Sequence, residues 1–279
     1  MHDRLAWAGG EGDIHPRASN RDVREKGSSQ MSDFDRGLVR PQTAAAPDMA
    51  VDAGLRAFML GVYNKVALGL VLSAILAWVT GTVPAVQQVL FRTDSAGYVR
   101  GYQPLGYVIA FAPLAILLFQ GFARRQSPRT AGITYWAVVS LIGASLGMVF
   151  LLYSGVGIFQ TFLVTAIAFG GLSLVGYTTK RDLSGMGSFL IMGLIGLIVA
   201  MVVSMFFHSG MMAFVINLLG VGIFAGLVAA DTQRLKMTYY QLGGDTAGMN
   251  VATSWGALSL YLDFVNLFRF LLFFMGGRR

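Results

Sequence analysis

The feature that most constrains this chain is a series of apolar runs, each close to the ~20 residues that an α-helix needs to cross a bilayer. Seven such runs are spread between residue 63 and residue 274. They cover residues 63–83, 105–122, 132–153, 156–177, 187–207, 212–230 and 252–274. The pattern predicts an all-α integral membrane protein with seven transmembrane helices. Six helices plus a re-entrant or buried last segment is the alternative, because the seventh run contains Asp263, Asn266 and Arg269.

Composition excludes a water-soluble globular domain. Charged residues make up 13% of the 279 residues, against about 25% in a typical soluble domain. The absence of cysteine excludes disulfides, zinc–thiolate sites and cysteine nucleophiles. Residues 1–55 differ from the rest, because they are polar and lack an apolar stripe. We expect them to be a disordered tail before a transmembrane domain of residues 56–279, and Met31 is an alternative start to Met1.

Basic residues in the connections predict the orientation, because cytoplasmic loops of membrane proteins carry an excess of lysine and arginine. Seven of them lie in connections on the side of the tail, and four lie on the opposite side. The seven are Arg124, Arg125, Arg129, Lys180, Arg181, Arg234 and Lys236, and the four are Arg92, Arg100, Arg278 and Arg279. We therefore expect a cytoplasmic N-terminus and, with seven spans, a C-terminus outside.

Two aspartates stand out as candidate functional residues. Only five acidic residues follow the tail, and these are Asp94, Asp182, Asp231, Asp245 and Asp263. Asp231 ends the sixth apolar run, and Asp263 lies inside the seventh. Ionisable groups are costly within a membrane, so those placed in spans are functional candidates by default.

A polar stripe accompanies these acids. On a helix, Ser259, Asp263 and Asn266 share one face, because they are spaced three or four residues apart. Asn217 lies fourteen residues before Asp231, on nearly the same face of the sixth run. Such a stripe must face the interior of the bundle rather than lipid. We therefore expect Ser259, Asn266 and Asn217 to line a path beside the two acids.

Paired carboxylates in a site of low dielectric constant cannot both ionise cheaply, so they share a proton. Asp231 and Asp263 are therefore expected to form a protonation switch. Ca²⁺ binds carboxylate and carbonyl oxygens but usually takes 6–8 of them, so two aspartates with Asn266 and Ser259 predict a weak site that an ion only passes through. The alternative is that the two acids merely bond to helix ends or neighbouring arginines.

Two arginines at the end of the second run are candidates for a gate latch. Arg124 and Arg125 lie on the same side of the membrane as Asp231. Either could pair with Asp231 and hold a cytoplasmic gate shut. The alternative is that they only set the orientation of the chain.

One class of enzyme also places an aspartate in each of two adjacent spans, namely the diaspartyl intramembrane proteases. Those proteases carry Gly-x-Gly-Asp at the second aspartate, whereas this chain has Leu260-Tyr261-Leu262-Asp263. It also lacks their Pro-Ala-Leu element. We therefore expect no catalytic residues, no tightly bound cofactor and no enzyme activity.

Four stretches together resemble the Bax inhibitor-1 family in its bacterial branch. The resemblance covers the chain from about Phe58 to Phe274. The stretches are Tyr63-Asn64-Lys65-Val66-Ala67-Leu68-Gly69-Leu70, residues 176–184 with 187–190, Asp231-Thr232-Gln233, and the long segment 257–268. One departure is Ala230, because the family usually has an aromatic or aliphatic residue before this aspartate.

The resemblance implies a seven-helix fold with the last helix at the centre, wrapped by the other six, in the bacterial inner membrane. It also implies a pH-sensitive calcium leak, in which Asp231 and Asp263 match the family's sensor pair. An arginine that latches onto the aspartate of span six would match Arg124 or Arg125. Proton-coupled cation exchange and modulation of a membrane-bound protease are the alternative functions. The expected partners are the lipid bilayer, Ca²⁺ and protons, with a membrane-bound protease as a further partner in the alternative function, and we expect no nucleic-acid partner.

Overall fold

The computed structural model describes residues 45–94, 99–121, 127–207 and 209–277. These residues form nine helices and one small antiparallel sheet. The helices are α1 (Ala45–Thr82), α2 (Pro84–Leu90), α3 (Pro104–Gly121), α4 (Pro128–Ser145), α5 (Gly147–Leu152), α6 (Gly155–Thr178), α7 (Ser184–Ser204), α8 (Gly210–Leu242) and α9 (Thr246–Met275). The strands are β1 (Phe91–Thr93) and β2 (Val99–Tyr102).

Six helical stretches in the described ranges are long and apolar enough to cross a membrane. They are Ala53–Thr82, Pro128–Leu152, Gly155–Thr178, Ser184–Ser204, Gly210–Leu242 and Thr246–Met275. The second predicted run coincides with α3. Its apolar stretch, Pro104–Gln120, is shorter than any of these six helical stretches. The protein is an all-α membrane protein, and the count of seven spans stays a prediction.

Apolar side chains cover the outside of the bundle. Large exposed hydrophobic residues occur on every long helix, among them Trp78 on α1, Phe119 on α3, Phe189 on α7 and Leu219 on α8. A soluble monomer rarely exposes apolar patches of this extent. Helices satisfy their own backbone hydrogen bonds, so such a surface is suited to contact with lipid.

Helix α9 is the most buried of the spanning helices. Within its apolar window 56% of the residues are buried, against 11–28% in the other five. It packs against α4, α6 and α8, and its Tyr261 hydroxyl lies 2.6 Å from the Ser73 hydroxyl of α1. Helix α7 packs chiefly on α8. The last helix thus lies in the interior of the bundle, and its polar residues Ser254 and Asp263 are buried there.

Helix ends follow the capping residues of the sequence. Ser127, Ser154 and Ser209 each accept a backbone N–H of the first turn of α4, α6 and α8. Asp245, which the sequence favours as a turn residue, caps α9 by accepting from Ala247 and Gly248. These side chains satisfy N–H groups that the helices leave free.

Several helix bounds differ from the apolar runs. Helix α1 begins at Ala45, inside the segment assigned to the tail, so the boundary at residue 55 falls within a helix. Residues 1–44 lie outside the described part of the chain. Helix α8 continues to Leu242, well past the end of the sixth run at residue 230. An apolar run marks only the part of a helix that lipid can cover. Helix α8 is longer than its apolar run because it continues with polar residues.

The third run is broken into α4 and α5 between Ser145 and Gly147. The break lies where this run meets α1, because a Cβ added at Gly143 would lie 2.6 Å from the Ser73 Cα and one at Gly147 would meet Thr80. Small residues spaced four apart let two membrane helices approach closely. The pair Gly143 and Gly147 therefore serves packing inside the bundle.

Candidate functional site

The two candidate acids lie on neighbouring helices. Asp231 is on α8 and Asp263 is on α9, and only 7% and 5% of their surfaces are exposed. The turn between these helices contains Gly243 (φ 54°) and Gly244 (φ 93°). Glycine adopts such positive φ values without steric cost, so the chain reverses within three residues. The tight reversal sets α8 and α9 side by side and antiparallel.

One cavity of about 990 Å³ contains both carboxylates in its wall. Ser259, Asn266 and Asn217 line the same cavity. The two acids and all three polar residues that the sequence places beside them therefore line one cavity, with Asn217 about four helical turns from Asp231 along α8. The cavity is formed largely along α8 and α9, with contributions from α3, α5 and α7.

Asp231 has two polar neighbours. The Ser259 hydroxyl of α9 donates a hydrogen bond to Asp231 Oδ2. The guanidinium of Arg234, one turn further along α8, lies 3.2 Å from Asp231 Oδ1. That oxygen has no hydrogen bond within the described residues, so Arg234 and Asp231 form an ion pair without hydrogen-bond alignment. One alternative raised by the sequence, a bond to a neighbouring arginine, therefore applies to Asp231.

Asp263 has a different environment. Its Oδ2 is buried and accepts no hydrogen bond from the part of the chain that the structure describes. Asp231 and Arg234 are close enough to act on it electrostatically. A buried polar atom left without a partner costs about 1–3 kcal/mol, and more when it is charged. A buried polar atom without a partner therefore needs a physical explanation. A proton or cation bound at Asp263 would provide one.

The two asparagines present their amide oxygens as the groups available to a ligand. Asn266 Nδ2 donates to the Leu262 carbonyl at 2.8 Å, and Asn217 Nδ2 donates to the Ala213 carbonyl at 2.7 Å. Each amide nitrogen is therefore used by the backbone of its own helix. Amide oxygens are ligands of hard cations, as carboxylates are.

The two arginines predicted to act as a gate latch, Arg124 and Arg125, lie outside the described residues. The cation beside Asp231 is instead Arg234. Sequence analysis counted Arg234 only as an orientation charge. Its spacing of three residues from Asp231 was the signal for the contact, since residues at i and i+3 are neighbours on a helix.

The two residues after Asp231 hold the surrounding helices together. Gln233 accepts the Leu183 N–H at 2.7 Å and donates to the Arg181 carbonyl at 2.7 Å. Thr232 lies 3.0 Å from the Ser173 hydroxyl of α6. The segment Asp231-Thr232-Gln233 thus fixes the loop between α6 and α7 and the end of α6 onto α8. The sequence analysis treated this segment only as a family motif and did not predict that its side chains hold neighbouring segments onto α8.

A resident metal centre is not indicated by the donor set. Across the described ranges, no three His, Cys, Asp or Glu side chains converge on one point. The Asp231–Asp263 pair offers two carboxylates, fewer than the 6–8 oxygens that Ca²⁺ usually takes.

Comparison with known proteins identifies the family. The family model described as "Inhibitor of apoptosis-promoting Bax1" matches residues 55–279, which is most of the chain. The chain belongs to the Bax inhibitor-1 family. Resemblance in the four stretches had predicted this membership, and the match confirms it.

Relatives in this family cover nearly the same part of the chain. A protein of Caulobacter vibrioides is 62% identical over 250 residues, which are 89% of this chain and 100% of the relative. A protein of Rickettsia prowazekii is 42% identical over 239 residues, covering 85% and 96%. The inner membrane protein YbhL of Escherichia coli K12 is 39% identical over 228 residues, covering 81% and 94%.

The departure from the Bax inhibitor-1 pattern at Ala230 has a packing explanation. Ala230 is buried, and a Cβ added at Gly187 of α7 would lie 3.5 Å from the Ala230 Cβ. A small residue before Asp231 thus faces a small residue at the start of α7.

Proposed function

We propose that this protein is a path for Ca²⁺, or another hard cation, across the bacterial inner membrane, with Asp231 and Asp263 as its pH sensor and ion site. The observation that carries the proposal is the buried, unpartnered Oδ2 of Asp263 in a cavity that it shares with Asp231. Ionisable groups inside membrane proteins are rare and mark ion and proton pathways. The inner-membrane location is supported by the name of the YbhL relative.

The lining supports weak coordination of a passing ion. Two carboxylates, the Ser259 hydroxyl and the amide oxygen of Asn266 are oxygen groups that line the cavity around the acids. Both oxygens of Asp231 already have a partner, Ser259 for Oδ2 and Arg234 for Oδ1, so fewer free oxygens remain than the 6–8 that Ca²⁺ usually takes, and this favours entry and release over tight binding. Conduction requires that an ion bind well enough to enter and weakly enough to leave. Ca²⁺ is thus the cargo and not a structural part of the protein.

Protonation of the pair biases the path between two states. Asp231 has the Ser259 hydroxyl and the Arg234 guanidinium beside it. Asp263 Oδ2 has neither kind of partner, so Asp263 is the carboxylate that gains and loses the proton. Its charge then changes the affinity of the cavity for a cation, which is a difference that can shift a two-state equilibrium.

We also propose that α3 is a seventh span. Its 18 residues extend about 27 Å at 1.5 Å per residue, close to the ~30 Å hydrocarbon core. Apolar side chains such as Val108 and Phe119 are exposed along it. Seven spans place the N-terminus and the C-terminus on opposite sides, and the basic connections then favour a cytoplasmic N-terminus.

The test is Ca²⁺ entry into dye-loaded proteoliposomes at a fixed gradient. Wild type and Asp182→Asn are expected to show Ca²⁺ entry that changes with pH. Entry through Asp263→Asn is expected to be the same at every pH. Asp182 is a matched control, because it is an exposed carboxylate in the loop before α7. Hydrogen bonds from the Ser184 side chain and N–H hold the pKa of Asp182 below its usual range, so it stays ionised from pH 5 to pH 8. Entry no faster than into protein-free vesicles would contradict the proposal.

Proton-coupled cation exchange is a second candidate, favoured by the same pair of carboxylates, which can bind either a proton or a cation. Exchange and leak differ in one measurable respect. In exchange, an imposed Ca²⁺ gradient drives protons in the opposite direction, which a trapped pH dye would report. In a leak, the Ca²⁺ gradient moves Ca²⁺ without obligatory proton movement.

A further inference from the structure

The large cavity extends well beyond the Ser259–Asp231 hydrogen bond, and Arg269 of α9 lines its other end. At that end α8 and α9 are held together by aromatic side chains, since the rings of Phe224 and Phe270 lie 5.7 Å apart. Arg269 follows Ser259 by ten residues, which correspond to about 15 Å along the helix. Arg269 therefore belongs to a different part of the molecule from the candidate ion site.

Arg269 has no counter-ion among the described residues. Of the five aspartates that follow the tail, two are paired with other arginines and two lie at helix starts on the opposite end of the bundle. The fifth, Asp263, precedes Arg269 by six residues, or about 9 Å of helix, and its Oδ2 accepts no hydrogen bond there. The paired acids are Asp94 with Arg100 and Asp231 with Arg234, and those at the helix starts are Asp182 and Asp245.

The wall of the cavity between α3 and α7 is apolar. Phe111 of α3 and Ile191 and Ile198 of α7 line the cavity and are also exposed. Helix α3 packs chiefly against α4, and α7 packs chiefly against α8, so the cavity lies between two packed pairs of helices. An apolar chain can therefore lie along this wall and continue into the hydrocarbon around the bundle.

The position of Arg269 along α9 is suited to contact with a lipid headgroup. The 30 residues of α9 extend about 45 Å, close to the ~40–45 Å of a bilayer with its headgroups. Arg269 lies six residues before the end of the helix at Met275, or about 9 Å. With α9 centred in the bilayer, this depth is near the boundary between hydrocarbon and headgroups. A long arginine side chain commonly spans that boundary.

We propose that this end of the cavity binds one anionic phospholipid, with its phosphate at Arg269 and an acyl chain along the apolar wall of α3 and α7. A guanidinium matches a phosphate group because it can donate two parallel hydrogen bonds. Tyr102 lines the same cavity and is close enough to Arg269 to interact with it electrostatically, so it is a second polar group for the headgroup.

The charge of the site favours an anionic lipid over a zwitterionic one. A choline or ethanolamine headgroup carries its own cation, and no carboxylate beside Arg269 is available to accept that cation. Phosphatidylglycerol carries the phosphate without a cation. The inference concerns lipid recognition and does not depend on cation conduction.

The experiment titrates the purified full-length protein in detergent with phosphatidylglycerol and measures bound lipid by native mass spectrometry. Arg269→Gln should weaken binding of the first lipid by about tenfold, which is what the loss of one charge-assisted contact corresponds to. Arg269→Lys keeps the charge without the planar fork, so its affinity should be intermediate. Arg92 is an exposed arginine of β1, and Arg92→Gln is the matched control that should bind as wild type does.

Two variants of α3 test the place of the acyl chain. Ala110 lines the cavity, whereas Ala115 is an exposed residue of the same helix outside that lining. Ala110→Phe fills part of the cavity and should weaken binding, and Ala115→Phe should not. Diacylglycerol has the chains without the phosphate, and glycerol 3-phosphate has the phosphate without the chains. Each should bind more weakly than phosphatidylglycerol.

Equal affinity of wild type and Arg269→Gln for phosphatidylglycerol would overturn the proposal, and so would an equal loss in Arg92→Gln. Binding of glycerol 3-phosphate as tight as that of phosphatidylglycerol would show a site for a soluble phosphate and overturn the lipid assignment. If Arg269→Gln has a lowered Tm in detergent, Arg269→Lys and Ala110→Phe decide in its place. A wild type that conducts Ca²⁺ but binds no phosphatidylglycerol would overturn this proposal and leave the proposed function standing.

Discussion

Asp231 and Asp263 show how two identical side chains acquire different chemistry from their neighbours. Asp231 accepts a hydroxyl hydrogen bond and lies beside a guanidinium, whereas Asp263 Oδ2 is buried with no hydrogen bond from the described residues. That both acids line one buried site could be predicted from sequence, because acids are so rare in the apolar runs. Their different neighbours could not be predicted, because these depend on which residues of α8 and α9 face each other.

Ser259 gives a direct test of the Asp231 environment. Ser259→Ala removes the donor to Asp231 Oδ2, and Ser259→Thr retains a hydroxyl at the same position. We expect Ser259→Ala to change Ca²⁺ entry by about three- to tenfold, because it leaves one oxygen of the buried Asp231 carboxylate without its hydrogen bond, at a cost of about 1 kcal/mol or more. Ser259→Thr should remain within about twofold of wild type. Equal rates for the two variants would show that the Ser259 hydroxyl does not affect Ca²⁺ entry through Asp231.

At the scale of elements, the position of Asp231 depends on how closely α6 approaches α8. A Cβ added at Gly176 of α6 would meet the carbonyl oxygen of Ala229 on α8. The two helices are therefore in backbone contact two residues before Asp231. Apolar runs in the sequence predicted that both helices exist, but runs of this kind contain no information on which glycine faces which neighbour.

Gly176→Ala is expected to push α6 away from α8. Overpacking of this kind typically costs about 1–3 kcal/mol, and a rigid backbone carbonyl cannot rotate aside as a flexible side chain can. Gly171→Ala on the same helix is the matched control, since a Cβ there would meet nothing within 4 Å. Thermal unfolding in detergent should show a lower Tm for Gly176→Ala only. A Tm that falls equally in both variants would contradict the proposed backbone contact.

Helix lengths illustrate a second limit of the sequence. The sixth run ends at residue 230, yet α8 continues to Leu242 and ends at Gly243, whose φ of 54° is left-handed. Lipid solubility and helix formation are separate properties, and residues 231–242 form helix without being apolar throughout. The candidate site lies at this transition, where an apolar helix becomes polar.

At the scale of the whole molecule, the count of spans decides the orientation of the path. Helix α3 separates the sheet of β1 and β2 from α4. If α3 crosses the membrane, Arg92 and Arg129 lie on opposite sides, and if it does not, they lie on the same side. The protein has no cysteine, so single cysteines can report the side of each position against an unlabelled background.

We predict that Arg92→Cys reacts with a membrane-impermeant maleimide from outside the cell, and that Arg129→Cys reacts only after the membrane is permeabilised. Both side chains are exposed, so a difference in labelling reflects the membrane and not burial. A cysteine at Thr246, in the first turn of α9, should behave like the one at position 129. Labelling of positions 92 and 129 from the same side would show that α3 does not cross.

The central claim is that Asp263 senses pH for a cation path, and it is tested most directly by Ca²⁺ entry into dye-loaded proteoliposomes measured between pH 5 and pH 8. Wild type and the Asp182→Asn control should both show entry that changes across this range. Asp263→Asn should show entry that is the same at every pH, because the proton-accepting carboxylate is gone. A pH dependence that survives in Asp263→Asn would contradict the account.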